Sequence, residues 1–244
     1  SYLVICMFYD CPDLVSIDLS SFNTVNVTSM KSMFSACPNL MSIDVSGFNT
    51  ESVTDMSSMF LSCPGLTSLD VTNFNTANVT NISHMFGSCT GLTSLDLRNF
   101  NTGNVTDMGY MFSGCTSLNT IYAGEGWSTA KVSSSSYMFH QCTSLVGGAG
   151  TVFDSSHTDH TYAHIDEGPS NPGYFTDKNA PVVVAAPTFR FEGDSLFIET
   201  ATENASIFYQ MADLPNMDEA TVQKISESLI ARSEERFSRN AETD

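Results

Sequence analysis

Apolar residues recur along this chain on a fixed beat. Met-Phe pairs stand at Met7-Phe8, Met33-Phe34, Met59-Phe60, Met85-Phe86, Met111-Phe112 and Met138-Phe139. Cys11, Cys37, Cys63, Cys89 and Cys115 follow one another every 26 residues, and Cys142 comes after 27. Polar positions keep the same interval: Asp18, Asp44, Asp70 and Asp96, and the Phe-Asn-Thr triplets that open at Phe22, Phe48, Phe74 and Phe100. Each unit carries two periodicities. Leu14, Ile17 and Leu19 end in the alternation of a strand. Val27, Met30, Met33/Phe34 and Cys37 then fall three or four apart, the stripe of a short helix. Thr28, Thr54, Thr80 and Thr106 stand where an N-cap would serve that helix, and Asp55 and Asp107 suit its first turn.

A strand and one helical turn in a 26-residue unit cannot bury both their faces alone, but stacked units can, at roughly 4.8 Å per strand. The pattern therefore predicts an α/β solenoid: a right-handed, leucine-rich-repeat-like stack over residues 1–146, with one strand and one short helical turn per coil. From about Ile121 the beat loosens, with Tyr122 in the aspartate slot and Trp127 in the phenylalanine slot. Residues 147–176, rich in Gly, turn formers and aromatics, are read as a cap over the last coil. A linker at 177–186 leads to a small β-rich domain at 187–244, where alternation around turns at Gly193 and Asn204 predicts strands. Asn216 and Glu219 form a capping box that opens a helix with Val222, Ile225 and Leu229 on one side, and the tail beyond it frays. The chain starts part-way through a repeat and without Met, which predicts a piece of a longer protein.

Charge narrows the partner classes. Against 9 Lys and Arg stand 27 Asp and Glu, a net charge of −18. The acidity is spread over the whole length, and no cluster of basic residues exists to track phosphates, so nucleic acid and anionic membrane surfaces are excluded as expected partners. No apolar run approaches the roughly 20 residues of a membrane span, so no membrane insertion is expected of this fragment. Enzymatic chemistry also finds no footing. Nucleophile elbow, H-E-x-x-H and phosphate-cradling loop are all missing, and a file of equivalent carboxylates cannot split acid and base roles between different environments.

The candidate binding face is the strand half. Asp18, Asp44, Asp70 and Asp96 alternate with inward residues and should point outward, accompanied by serines two positions earlier. Like charges about 5 Å apart repel by roughly 0.8 kcal/mol per pair even at the dielectric constant of water. Hydrogen bonds from Ser and Thr, solvation or weak Ca²⁺ binding must offset that; no other cofactor is expected. Around the aspartates the outward slots vary: Met41, Thr67 and Thr93 in one file, Thr72 and Arg98 in another, with Tyr122 at the end. Variation amid invariant inward slots is where specificity would be written. Asn23, Asn49, Asn75 and Asn101 are expected to satisfy backbone groups at one bend of every coil. The cysteines are expected as a buried file of thiols, with Cys6 a possible reactive exception. His157, His160 and His164, interspersed with Asp154, Asp159 and Asp166, are candidate metal ligands, loop hydrogen bonding being the alternative.

The stretch SLDVTNFNTANVTNISHMFGSCTGLTSLDL resembles the BspA-type leucine-rich-repeat surface proteins of host-associated bacteria, in the repeat class long catalogued as a domain of unknown function. The resemblance runs over residues 3–146, and Gly147–Thr176 is similar to the segment that commonly closes such arrays. Residues 187–211 resemble the non-catalytic C-terminal β-sandwich of some chitobiase and hexosaminidase enzymes, without its D-G-[ST]-x-P turn. The resemblance implies an extracellular or bacterial cell-surface location, adhesion to a protein or glycan ligand, and no catalytic residues. A structural spacer holding another domain away from the cell, or an accessory carbohydrate-binding role for the C-terminal module, are the alternatives. Oligomeric state is left open.

Overall fold

The computed structural model describes the backbone of residues 2–177, 188–192 and 195–199, and side chains from residue 4 to 177. The chain divides into two units, Ser1–Ala180 and Pro181–Asp244. In the second, β6 (Thr188–Glu192) and β7 (Ser195–Glu199) pair antiparallel with Thr188 opposite Glu199 and Glu192 opposite Ser195. The expected linker core and the helix opening at Asn216 lie outside the described residues.

In the first unit each repeat lies beside the next with its equivalent residues in register. A file of parallel bridges joins Ser29, Asp55, Asn81, Asp107 and Ser134. From it the backbone bonds run onward: the N–H groups of Met30, Ser32, Phe34 and Ala36 donate to the carbonyls of Asp55, Ser57, Met59 and Leu61 at 2.7–2.9 Å. The same set recurs from Met56 to Ser62 and from Ile82 to Ser88. Within this segment Met33 and its copies Met59, Met85, Met111 and Met138 are completely buried, as are Met30 and Phe34, while Lys31 is exposed.

This segment is where a short helix was expected, and it is not helical. Among the described residues the one helix is a 3₁₀ turn at His160–Tyr162. Two residues of each repeat adopt left-handed backbone: Cys6, Ser32, Ser58, His84, Tyr110 and Tyr137 in one slot, and Asp10, Ala36, Ser62, Ser88, Gly114 and Gln141 in the other. Such residues interrupt an α-helix. They leave only local turns, such as Met33 N–H to Met30 C=O, and turn every second amide toward the neighbouring coil. Thr28, Thr54 and Thr80 accordingly cap nothing. Their carbonyls accept the amides of Thr54, Thr80 and Thr106 at 2.9 Å, one rung of the same ladder. Asp55 and Asp107 accept the amides of Ser57 and Gly109, two residues on, instead of complementing a helix dipole.

The expected strands form only late. Leu14–Leu19 and its next two equivalents stay out of any sheet, with single rungs such as Met41 N–H to Val15 C=O. β3 (Ser94–Leu97) and β4 (Thr120–Ala123) pair in parallel, and β5 (Phe175–Asp177) joins β4 as the third strand. β1 (Tyr2–Leu3) and β2 (Val27–Ser29) make a further short parallel pair.

Between the two sides runs one core. Phe8, Phe34, Phe60, Phe86, Phe112 and Phe139 stack along it with ring centroids 5.3–6.1 Å apart and planes within 13°. The file stops where Tyr174 and Phe175 meet Phe139 edge-on, at 79° and 71°. An offset stack continues as long as another repeat supplies a ring, and perpendicular aromatics end it.

Candidate functional site

The aspartate file lies on the exposed strand side, each carboxylate folded onto its own chain. Oδ1 of Asp18, Asp44 and Asp70 accepts the amide two residues on, from Ser20, Ser46 and Thr72, at 2.9 Å. The Thr72 hydroxyl adds a 2.6 Å bond to Asp70. These donors hold all three carboxyls below the usual range: amide and then hydroxyl of Ser20 for Asp18, hydroxyl and then amide of Ser46 and Thr72 for the other two. Against this, Asp96 and Asp44 push Asp70 upward, the mutual repulsion of a ladder. Asp96 is the exception, because Arg98 reaches it with Nη2 at 2.7 Å and Nε at 3.1 Å. Asp18, Asp44 and Asp70 are exposed and have no ion-pair partner among the described residues. Beside them Met41 is 62% exposed, Thr67 and Thr93 are exposed, and Thr72 and Tyr122 are half-buried.

In the copied triplet the Asn satisfies a backbone group at the bend of every coil, as its file predicts, with the bond staying inside the coil. Oδ1 of Asn23, Asn49, Asn75 and Asn101 accepts the amide two residues on, within its own coil. The stitch between coils is the threonine that follows. Thr24 Oγ1 accepts the Asn49 amide at 2.8 Å and donates to the Asn49 carbonyl at 3.0 Å, and Thr50 and Thr76 repeat this with Asn75 and Asn101. Thr102 does the same with Ser128. One hydroxyl thus satisfies two backbone groups of the next coil, which explains a buried Thr beside an exposed Asn. Asn78 and Asn104 spend their side-chain nitrogen on carbonyls of the preceding coil, Glu51 and Ala77, at 2.8 Å.

Every cysteine of the chain is free. The thiols of Cys37, Cys63, Cys89, Cys115 and Cys142 donate to the carbonyls of Phe8, Phe34, Phe60, Phe86 and Phe112 at 3.0–3.1 Å, each one coil back. Burial pushes these thiols up, Cys63 and Cys115 to about 12, so they stay protonated donors and poor nucleophiles. Cys6 is exposed.

In the cap the three histidines go to three different partners. Nδ1 of His160 lies 2.6 Å from the Ser135 hydroxyl. Nδ1 of His164 donates to the Ile165 carbonyl at 2.8 Å. His157 stands 3.4 Å from Asp154 and packs its ring on Tyr162. The described residues hold no group of three or more His, Cys, Asp or Glu side chains able to bind a metal ion. Asp166, from the same polar cluster, organises the cap instead. It is 6% exposed, and its Oδ2 accepts the amides of Ala149 and Thr151, both at 2.9 Å. Its Oδ1 accepts the Thr151 hydroxyl at 2.7 Å and the Gly168 amide at 3.0 Å, with Gly173 at 3.4 Å. Burial alone would raise this carboxyl, and the donors from Thr151, Gly168 and Gly173 outweigh it, so its pKa is lowered.

One surface feature escaped the sequence reading. His84, Tyr110 and Tyr137 occupy the same left-handed slot in successive coils and lie against one another, with centroids 4.7 and 5.2 Å apart. Their spacings of 26 and 27 residues were the available signal, hidden because the earlier copies of the slot hold Cys6, Ser32 and Ser58.

Two overlapping stretches, residues 4–95 and 62–165, match the family described as "Mycoplasma protein of unknown function, DUF285". No curated protein and no solved structure matches the chain.

Proposed function

Because the chain belongs to the DUF285 family, whose BspA-like repeats span most of the first unit, we propose that it is a non-enzymatic binding module. In this reading the repeats form a leucine-rich-repeat-like solenoid, displayed at a bacterial cell surface, and the aspartate side contacts a protein ligand rich in basic side chains. One observation carries it: Asp18, Asp44 and Asp70 stand in a single exposed file, pre-oriented by their own backbone and unpaired by any cation of the described residues. A row of fixed carboxylates about 4.8 Å apart is costly for the free chain and complementary to a row of Lys or Arg. The neighbouring slots, from Met41 to Arg98, differ in chemistry while the buried files do not, so they are suited to selecting among basic partners.

The test is surface plasmon resonance of the 244-residue chain over an immobilised peptide of ten lysines. The double substitution Asp44→Asn/Asp70→Asn should weaken binding at least tenfold at 0.15 M salt. The charge-matched control Asp13→Asn/Glu51→Gln should weaken it far less. Equal effects of the two pairs would mean that only net charge is read and would sink the face assignment. Absence of binding by the parent chain would favour the spacer reading, which the coil-to-coil bonding of Thr24, Thr50, Thr76 and Thr102 supports.

A further inference from the structure

Where β4 ends, the loop carrying Glu125 and Trp127 faces the cap segment His164–Asn171 across an open cavity of about 330 Å³. Trp127 replaces the Phe that the earlier coils place here, and it is half-buried where Phe48, Phe74 and Phe100 are buried. Its indole N–H donates to the Ala163 carbonyl at 2.9 Å, and its ring meets Phe175 edge-on, so the indole is held in one orientation. His164 lines the same cavity with its Nδ1 proton already given to the Ile165 carbonyl, which leaves Nε2 as the acceptor of the neutral ring. Asn171 turns its Nδ2 to Glu167 Oε2 at 2.8 Å, and backbone bonds from Glu167 to Asn171 and from Asn171 to Gly168 close the turn that carries both.

The lining is therefore lopsided. The indole N–H of Trp127 and the Nδ1 proton of His164 are spent inside the protein, and one of the two Asn171 Nδ2 hydrogens goes to Glu167. What the cavity offers a ligand is an aromatic wall, the carboxylates of Glu125 and Glu167, and neutral acceptors. A saccharide would find only the second Asn171 hydrogen as a side-chain donor beside these acceptors, and an anion would meet two like charges. A cation bearing several N–H donors satisfies all of it: carboxylates pair with the charge, acceptors take the hydrogens, and the indole supplies a cation–π wall.

We propose that this cavity is a binding pocket for an organic cation with N–H donors, the guanidinium or ammonium end of an arginine or lysine side chain. None of the four aspartates lines it, and the proposal does not depend on their file being a contact surface.

Trp127 is the one tryptophan of the chain, so its fluorescence reports on this pocket alone. The full 244-residue protein is titrated with N-acetyl-L-arginine amide, with N-acetyl-L-lysine amide, and with the neutral probes N-acetylglucosamine and N-acetylglycine amide. A saturable change is expected with one or both cationic probes in the millimolar range and with neither neutral probe. Glu125 and Glu167 are both exposed, so Glu125→Gln and Glu167→Gln, singly and together, leave the fold in place. Each should weaken the response about tenfold, whereas Asp44→Asn/Asp70→Asn should leave it unchanged. Saturation by N-acetylglucosamine but not by the cations, strictly linear responses to every probe, or titration of the Glu variants like the parent would each overturn the proposal.

Discussion

Replacing Asp166 by Asn separates a carboxylate that organises the cap from one that merely resides in it. The side chain is 6% exposed and its two oxygens are divided between two sets of donors, Ala149 and Thr151 amides on Oδ2, and Thr151 hydroxyl, Gly168 and Gly173 amides on Oδ1. An asparagine can keep only one oxygen. With its NH₂ toward Ala149 and Thr151 two backbone N–H groups lose their acceptor; flipped, it opposes the Gly168 and Gly173 amides instead. Each orphaned buried donor costs about 1–3 kcal/mol, so Asp166→Asn should destabilise the first unit by about 4 kcal/mol at pH 7. The loss should be pH-dependent in a definite direction. Because the folded-state pKa is lowered, the carboxylate's contribution is complete above the unfolded-state value of about 3.9 and is lost as pH falls through the folded value. The gap between parent and variant should therefore narrow below about pH 4. Urea unfolding followed by far-UV circular dichroism, from pH 7 down to pH 3, measures both. A cost under 1 kcal/mol at pH 7, or a gap that does not change with pH, would refute this account of the cap.

Thr50→Val removes the hydroxyl that both accepts from and donates to Asn75 while keeping the shape, and should cost about 2 kcal/mol in urea unfolding, with Thr50→Ser costing less. An added Cβ on Gly147 would overlap the Gly173 carbonyl and the Asp166 carboxylate, so Gly147→Ala should lower stability by about 1–3 kcal/mol by the same assay. In native protein the thiol reagent DTNB should titrate Cys6 quickly and Cys11 more slowly. The five buried cysteines should react only after addition of guanidinium, to a total of seven. Rapid native reaction of more than two thiols would contradict the buried file.

The 26-residue beat by itself determined which residues face inward. Met33, Phe34, Cys37 and their copies had to be buried together, because no single repeat can hide them, and the register of the Phe stack follows from that spacing. The aspartates' outward position was legible for the same reason, since they alternate with Ile17 and Leu19. The local conformation of the second half was not legible. A stripe at Val27, Met30, Met33 and Cys37 is satisfied by an α-helix and equally by tight turns whose alternate amides bond to a neighbouring coil. The left-handed positions that decide between them are, apart from Gly114, filled by residues such as Ser, His and Tyr instead of a telltale Gly. Nor could the sequence show that Thr24, rather than Asn23, joins the coils, since that depends on which side chain the bend turns toward the next repeat. The cap was the least readable. Asp166 draws its donors from Ala149, Thr151, Gly168 and Gly173, and the pocket at Trp127 takes its walls from β4 and from a turn some forty residues later. Periodicity specifies only neighbours at a fixed interval; contacts across an aperiodic loop exist only once the chain has closed on itself.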